Sequence, residues 1–133
     1  MGLLICDEYR YPELFRQYKS QGVQLVLHSY HNAGAPRFRK HFALTGQVVR
    51  ATMQARAASN YVWISVNNSC RRVSCWGSFV VRPDGMIVDK APRHSPKVLI
   101  NAINTSKTFY DASVKWRDRA IAGVFHSGRL VND

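Results

Sequence analysis

The sixth residue of the chain carries the side chain with the most useful chemistry, a thiol that can act as a nucleophile. Gly2 to Cys6 form a short apolar run typical of a buried strand, and Asp7 and Glu8 end it abruptly. A strand end holds a thiol rigidly, and neighbouring backbone N–H groups can face a developing oxyanion. A free thiol with a pKa near ~8.5 needs a base or a positive environment to react at neutral pH. On geometry alone, a small core residue is the commoner role for such a cysteine.

The elements after Cys6 indicate how the thiol would be positioned. Pro12 and Glu13 are typical of the first turn of a helix, where proline fits and an acid meets the positive end of the helix dipole. Gly22 is well placed to end that helix, and Val23–Leu27 has the composition of a second buried strand. A strand, a helix and a strand with short connections predict a parallel pair of strands.

The remainder of the chain continues this alternation, and we treat residues 1–133 as part of one domain. The turn sequence Arg82-Pro83-Asp84-Gly85 predicts a hairpin. We therefore expect an α/β structure with a mixed sheet. The further predicted elements are a loop at Asn32–Lys40, a helix at Phe42–Ser59, a strand at Tyr61–Val66, hairpin strands at Ser78–Val81 and Met86–Val88, a strand at Val98–Ile103 and a helix at Phe109–Ala120.

The run from Ile5 to Glu13 closely resembles the nucleophile motif of the nitrilase, or carbon–nitrogen hydrolase, superfamily. Asp7 departs from the pattern, which usually has an aromatic there, but any residue can donate its backbone N–H to an oxyanion. The residues that match are Cys6, Glu8, Arg10, Tyr11, Pro12 and Glu13. Further matching segments are Gly22–Leu27, Ala55–Asn60 followed by Tyr61-Val62 and Asn67, Gly77-Ser78 and Pro83–Gly85.

The resemblance implies a partial α-β-β-α sandwich, a fold that usually dimerises, and acyl transfer from an amide or nitrile through a Cys6 thioester, without a cofactor. The family's catalytic Glu and Lys precede the Cys strand, so we expect this chain to be the C-terminal half, with both residues outside it. Only Cys6 is carried over as catalytic; Asp7 is the oxyanion candidate. Glu8 and Glu13 are expected to fix the turn and to pair with Arg10. The pocket candidates are Tyr30, His31 and Asn32.

Charge, cysteine usage and hydropathy give less support to a nucleic-acid-binding, disulfide-rich, metal-binding or membrane protein. The formal net charge is +11, and Leu14 to Pro83 contain no Asp or Glu, yet the basic residues form no nucleic-acid-binding signature. The three cysteines suggest neither a disulfide framework nor a metal site. We expect no membrane span, no signal peptide and a cytoplasmic location.

An inactive remnant or interaction module that keeps this half-fold is the alternative to an enzyme. Association with an N-terminal half or with further copies is expected.

Overall fold

The computed structural model describes residues 1–33 and 42–124, in which helices pack against a mixed five-stranded sheet. The mixed α/β fold predicted from the sequence is therefore confirmed. The 3₁₀ turn Cys6–Arg10 separates the first strand from the first helix. The elements are β1 (Gly2–Ile5), α1 (Pro12–Ser20), β2 (Leu25–Ser29), α2 (Phe42–Asn60), β3 (Trp63–Asn67), β4 (Phe79–Val81), β5 (Ile87–Lys90) and α3 (Arg117–Ile121).

The strands lie in the sheet in the order of the chain, from β1 to β5. β1, β2 and β3 are parallel to one another, whereas β4 and β5 are antiparallel to their neighbours. The predicted parallel pair and the predicted hairpin are both confirmed. Because β1 to β3 are adjacent and parallel, the residues after their carboxyl ends meet at one edge of the sheet.

One face of the sheet forms the core with α1 and α2. Alternate residues of a strand point to opposite faces, and the core-facing positions of the first three strands are fully or nearly fully buried. The helices contribute Phe15 from α1 and an i, i+4 row from α2. The buried strand residues are Leu4, Val26, His28, Ile64 and Val66, and the buried row of α2 is Val49, Met53 and Ala57.

The outer edge of β1 is closed by α1 rather than by another described strand. The Tyr18 hydroxyl accepts from the Leu3 N–H at 3.2 Å and donates to the Leu3 carbonyl at 2.5 Å. These are the two backbone groups that an edge strand would otherwise leave unpaired. The helix that follows the cysteine turn is thereby tied to the strand that precedes it.

Two predicted elements differ from the structure. Residues 98–103 form no strand, and Val98 and Ile100 are 81% and 89% exposed, because this segment is not paired with the sheet. The predicted helix at Phe109–Ala120 is reduced to α3, since Asp111 accepts the Ser113 N–H and turns the chain before the helix begins. Of the predicted loop Asn32–Lys40, residues 34–40 lie outside the described residues. No helix in the described ranges is long and apolar enough to cross a membrane.

Candidate active site

The carboxyl ends of β1, β2 and β3 bring together most of the residues that the sequence singled out. Cys6 and Asp7 follow β1, Tyr30 to Asn32 follow β2, and Asn68 follows β3. The register pairs Ile5 with Ser29 and Ser29 with Asn67, so the three strands end level with one another. In open α/β sheets, this edge is where ligands bind.

Cys6 is exposed and has an unusual backbone conformation. Its φ is +50°, in the left-handed region that residues with a Cβ rarely occupy. Hydrogen bonds hold the backbone on both sides of it. Glu8 Oε2 accepts from the Ile5 N–H at 2.6 Å, and the Cys6 carbonyl oxygen lies 3.0 Å from His28 Nε2. Strain at a strand end that the surrounding contacts hold in place is common at functional residues.

Because Cys6 has a positive φ, we predict that glycine at this position gives a more stable protein than alanine, the reverse of the order within a helix. We expect Cys6→Gly to have a free energy of unfolding about 1 kcal/mol higher than Cys6→Ala, because glycine adopts this φ without steric cost. Urea unfolding of the two variants measures the difference. The same pair of substitutions at Ser20, within α1, is the control and should show the ordinary order, with alanine the more stable. An alanine variant as stable as the glycine variant at Cys6 would contradict the strained conformation.

The acidic residues of the turn have different partners from those expected. Glu8 does fix the turn, through Ile5, but Arg10 Nε donates to Asp7 Oδ1 at 3.2 Å. The expected pairing of Arg10 with Glu8 and Glu13 is therefore wrong: Asp7 lies three residues before Arg10, on the same side of a 3₁₀ turn. Both side chains of the observed pair are well exposed, so its contribution to stability is small.

Behind the cysteine, His28 and Tyr30 form a buried polar pair. Their rings stack with centroids 4.1 Å apart, and the Tyr30 hydroxyl lies 3.4 Å from His28 Nδ1. Burial lowers the pKa of His28 to about 4, although its hydrogen bond to Cys6 and the charge of Glu8 act in the opposite direction. Burial likewise raises the pKa of Tyr30. At neutral pH both side chains are uncharged, as a desolvated environment requires.

Asn32 and Asn68 connect the end of β2 to the end of β3. The Asn32 N–H donates to Asn68 Oδ1 at 2.8 Å, and Asn68 Nδ2 donates to the Trp76 carbonyl at 2.9 Å. The Asn68 N–H donates to Ser78 Oγ at 3.0 Å. Asn32 Oδ1 is buried, and among the residues that the structure describes it has no hydrogen-bond partner. The end of β2 is thus tied through Asn68 to the end of β3 and to the start of the hairpin.

The five predicted site residues are divided between the surface and the core. Cys6, Asp7 and His31 are exposed at the sheet edge, Asn32 is half-buried there, and Tyr30 is buried between Tyr9, His28 and Trp76. Sequence reasoning missed the bonds that His28 and Asn68 make to this edge. The available signals were a histidine that interrupts the apolar strand β2 and the Asn67-Asn68 pair at the end of β3. In residues 1–33 and 42–124, no side chain is hydrogen-bonded to the Cys6 thiol.

Comparisons with known proteins agree on one family. A sequence model of the family described as carbon-nitrogen hydrolase matches residues 1–108. Saccharomyces cerevisiae Nit3, a member of branch 10 of the nitrilase superfamily, is 25% identical with a TM-score of 0.56, over 68% of this chain and 32% of that one. An amidase from Nesterenkonia sp. is 28% identical with a TM-score of 0.52, over 67% of this chain and 32% of that one.

A further solved structure is a mutant of the amidase from Nesterenkonia sp. AN1 that shows the result of Michael addition of acrylamide at the active site cysteine. It is 28% identical with a TM-score of 0.52, over 67% of this chain and 33% of that one. The chain thus spans about a third of the length of these solved structures. A search of curated proteins gave no match.

Proposed function

Because the chain belongs to the carbon–nitrogen hydrolase family, we propose that it supplies the cysteine nucleophile of an enzyme that hydrolyses amides or nitriles. The observation that carries the proposal is the placement of Cys6, exposed and at positive φ where β1 ends, inside the segment that matches the family. Amides are the favoured substrate class, since solved relatives include an amidase.

The proposed reaction proceeds through a thioester. The Cys6 thiolate attacks the amide carbon, the C–S bond forms, and the carbonyl π electrons move onto the oxygen, where the Asp7 N–H donates to the oxyanion. The C–N bond then breaks and ammonia or an amine leaves with a proton from a general acid. Water attacks the thioester carbon, the C–S bond breaks, and the carboxylic acid and the thiol are released.

We assign the general base and the family's lysine to residues outside this chain. Two observations support the assignment: no described side chain is hydrogen-bonded to the Cys6 thiol, and the chain spans about a third of the solved relatives. The thiolate, not the thiol, is the nucleophile, so a base that takes the proton of the thiol would have a large effect on its rate. A protein segment from outside this chain, packed at the sheet edge, would supply that base.

The sheet face opposite α1 and α2 is a surface on which such a partner would lie. Leu3 and Ile5 are 63% and 68% exposed on this face, and Leu25 and Leu27 of the neighbouring strand are half-buried beside them. A contiguous apolar patch of this kind marks an interaction surface. In an α-β-β-α sandwich it would pack against a second sheet, from an N-terminal half of the fold or from another copy of the chain.

His31 and Asn32 are the proposed pocket residues of the sheet edge, and Tyr30 supports them from the core. Asn32 is half-buried, and its side-chain amide has both a donor and an acceptor for the amide group of a substrate. His31 is exposed beside it. The exposed free thiols of Cys6 and Cys70 favour a reducing compartment such as the cytoplasm for this chemistry.

Competition between the two exposed cysteines tests the proposal. We expect iodoacetamide to alkylate Cys6 about tenfold faster than Cys70 at pH 7, because an assembled site increases the thiolate fraction of its nucleophile. Peptide mapping by mass spectrometry of the full chain, purified with whatever remains bound to it, measures both rates in one sample. Cys6→Ser should remove the fast phase and leave the Cys70 rate unchanged. Equal rates at Cys6 and Cys70 in a sample that retains a bound partner chain would sink the proposal and favour a chain without catalytic activity.

A further inference from the structure

The peptide bond between Cys6 and Asp7 is held from inside the core by His28. His28 is completely buried, and its Nε2 lies 3.0 Å from the Cys6 carbonyl oxygen. A carbonyl only accepts hydrogen bonds, and a neutral imidazole carries a proton on one nitrogen. Nε2 must therefore carry that proton and donate to Cys6, which leaves Nδ1 as an acceptor 3.4 Å from the Tyr30 hydroxyl.

The surroundings of His28 prevent the ring from turning away. The Tyr30 ring stacks against it at 4.1 Å with an interplanar angle of 19°, and the Trp76 ring meets Tyr30 edge-on at 5.3 Å. Tyr9, from the cysteine turn itself, packs on Tyr30 at 5.7 Å. The direction of the Nε2–H bond is thus fixed by packing, as required of a group that orients a reactive backbone.

A planar trans peptide transmits this constraint to the next residue. The Cys6 carbonyl and the Asp7 N–H belong to the same peptide unit and point in opposite directions. With the carbonyl directed at His28 in the core, the Asp7 N–H is directed away from the core, on the side of the exposed cysteine. The same bond also helps to hold Cys6 at its strained φ of +50°.

We propose that His28 is a positioning residue, which turns the Asp7 N–H outward so that it meets the oxygen of a substrate attacked by Cys6. This inference rests on the proposed function, because it assigns His28 a task in the reaction of that cysteine. His28 itself touches neither the thiol nor the substrate, and it acts through the peptide bond that it holds.

Two alkylating reagents of similar size isolate the effect on the developing oxygen charge. When a thiolate adds to acrylamide, the C–S bond forms, the electrons of the C=C bond move toward the carbonyl oxygen, and water then protonates the carbon next to the carbonyl. With iodoacetamide, the C–S bond forms as iodide leaves, and the carbonyl oxygen gains no charge. The acrylamide rate at Cys6 is divided by the iodoacetamide rate at Cys6, and the quotient is divided by the same quotient at Cys70. This normalised ratio reports on a hydrogen-bond donor to the carbonyl oxygen.

We expect His28→Met to lower this normalised ratio about tenfold, since the side chain fills the space but donates no hydrogen bond. His28→Gln should keep it within about twofold, because the amide of glutamine can place a donor near the position of Nε2. A ratio that is the same in wild type, His28→Met and His28→Gln would overturn the proposal. Equal iodoacetamide rates at Cys6 and Cys70 would instead count against the proposed function alone. They would not affect the role of His28, because the ratio at Cys6 compares two reagents on the same thiol.

Buried Cys75 reports whether each variant is folded, because its thiol is protected in the native structure. If His28→Met exposes Cys75, nitrogen NMR of the wild-type imidazole decides the question without a substitution. A proton on Nε2 that exchanges slowly with water at pH 7 is expected. A proton on Nδ1 would overturn the proposal, because a bare Nε2 cannot hold the Cys6 carbonyl.

Discussion

Replacing Gly77 with alanine is expected to lower the free energy of unfolding by about 3 kcal/mol, the largest loss that we predict for a single added methyl group. A Cβ at this position would overlap the carbonyl oxygen of Ala91 and lie 2.9 Å from its carbonyl carbon and 3.0 Å from the Pro92 oxygen. These are backbone atoms, which cannot move aside by changing a rotamer. Ala91 is also fixed by the bond from its N–H to the Ser78 carbonyl at 2.8 Å.

Urea unfolding measures this loss as a fall of about 2 M in the midpoint, for a slope near 1.5 kcal/mol/M. Gly22→Ala is the matched control, because nothing lies within 4 Å of its Cβ and only its φ of +75° is unfavourable. That variant should lose about 1 kcal/mol. A Gly77→Ala variant no less stable than Gly22→Ala would show that Ala91 does not lie against Gly77.

The Gly77 contact also affects the candidate site. Ser78 follows Gly77 and accepts the Asn68 N–H, and Asn68 in turn accepts the Asn32 N–H. A displacement at Gly77 would therefore reach the end of β2 through two hydrogen bonds.

Local sequence signals were sufficient to predict the elements that hold Cys6. Proline at the start of α1 and glycine after its end act within one turn of helix, and Gly22 does adopt the left-handed conformation expected there. In the hairpin, Gly85 has a φ of +85° and Asp84 Oδ1 accepts the Met86 N–H at 3.1 Å. Such features depend on a few consecutive residues, so the sequence alone predicts them.

The contacts that complete the sheet edge join residues far apart in the chain. His28 and Cys6 are 22 residues apart, and Asn32 and Asn68 are 36 apart. No local pattern specifies which polar group such a residue meets, so neither hydrogen bond could be predicted from the sequence. The strand expected at residues 98–103 was wrong for a related reason, since an apolar pattern becomes a strand only where a neighbouring strand accepts its hydrogen bonds.

The buried imidazole of His28 predicts a loss of stability in mild acid. Its pKa is lowered by burial to about 4, whereas a histidine in the unfolded chain titrates near ~6.5. The unfolded state then binds a proton that the folded state excludes. The stability due to the neutral ring is complete above about pH 6.5 and is lost as the pH falls toward 4. Between pH 8 and pH 4.5 the free energy of unfolding should fall by roughly 2 to 3 kcal/mol from this group alone.

Urea unfolding at a series of pH values measures this fall, and two variants identify its source. His28→Gln should remove most of the dependence in this range, whereas His31→Gln, at an exposed position, should retain it. Asp111, whose pKa is lowered chiefly by hydrogen bonds from Arg117, contributes stability that is lost only at lower pH, as its carboxylate becomes protonated. Equal pH dependence in wild type and His28→Gln would mean that the imidazole is not buried as a neutral ring.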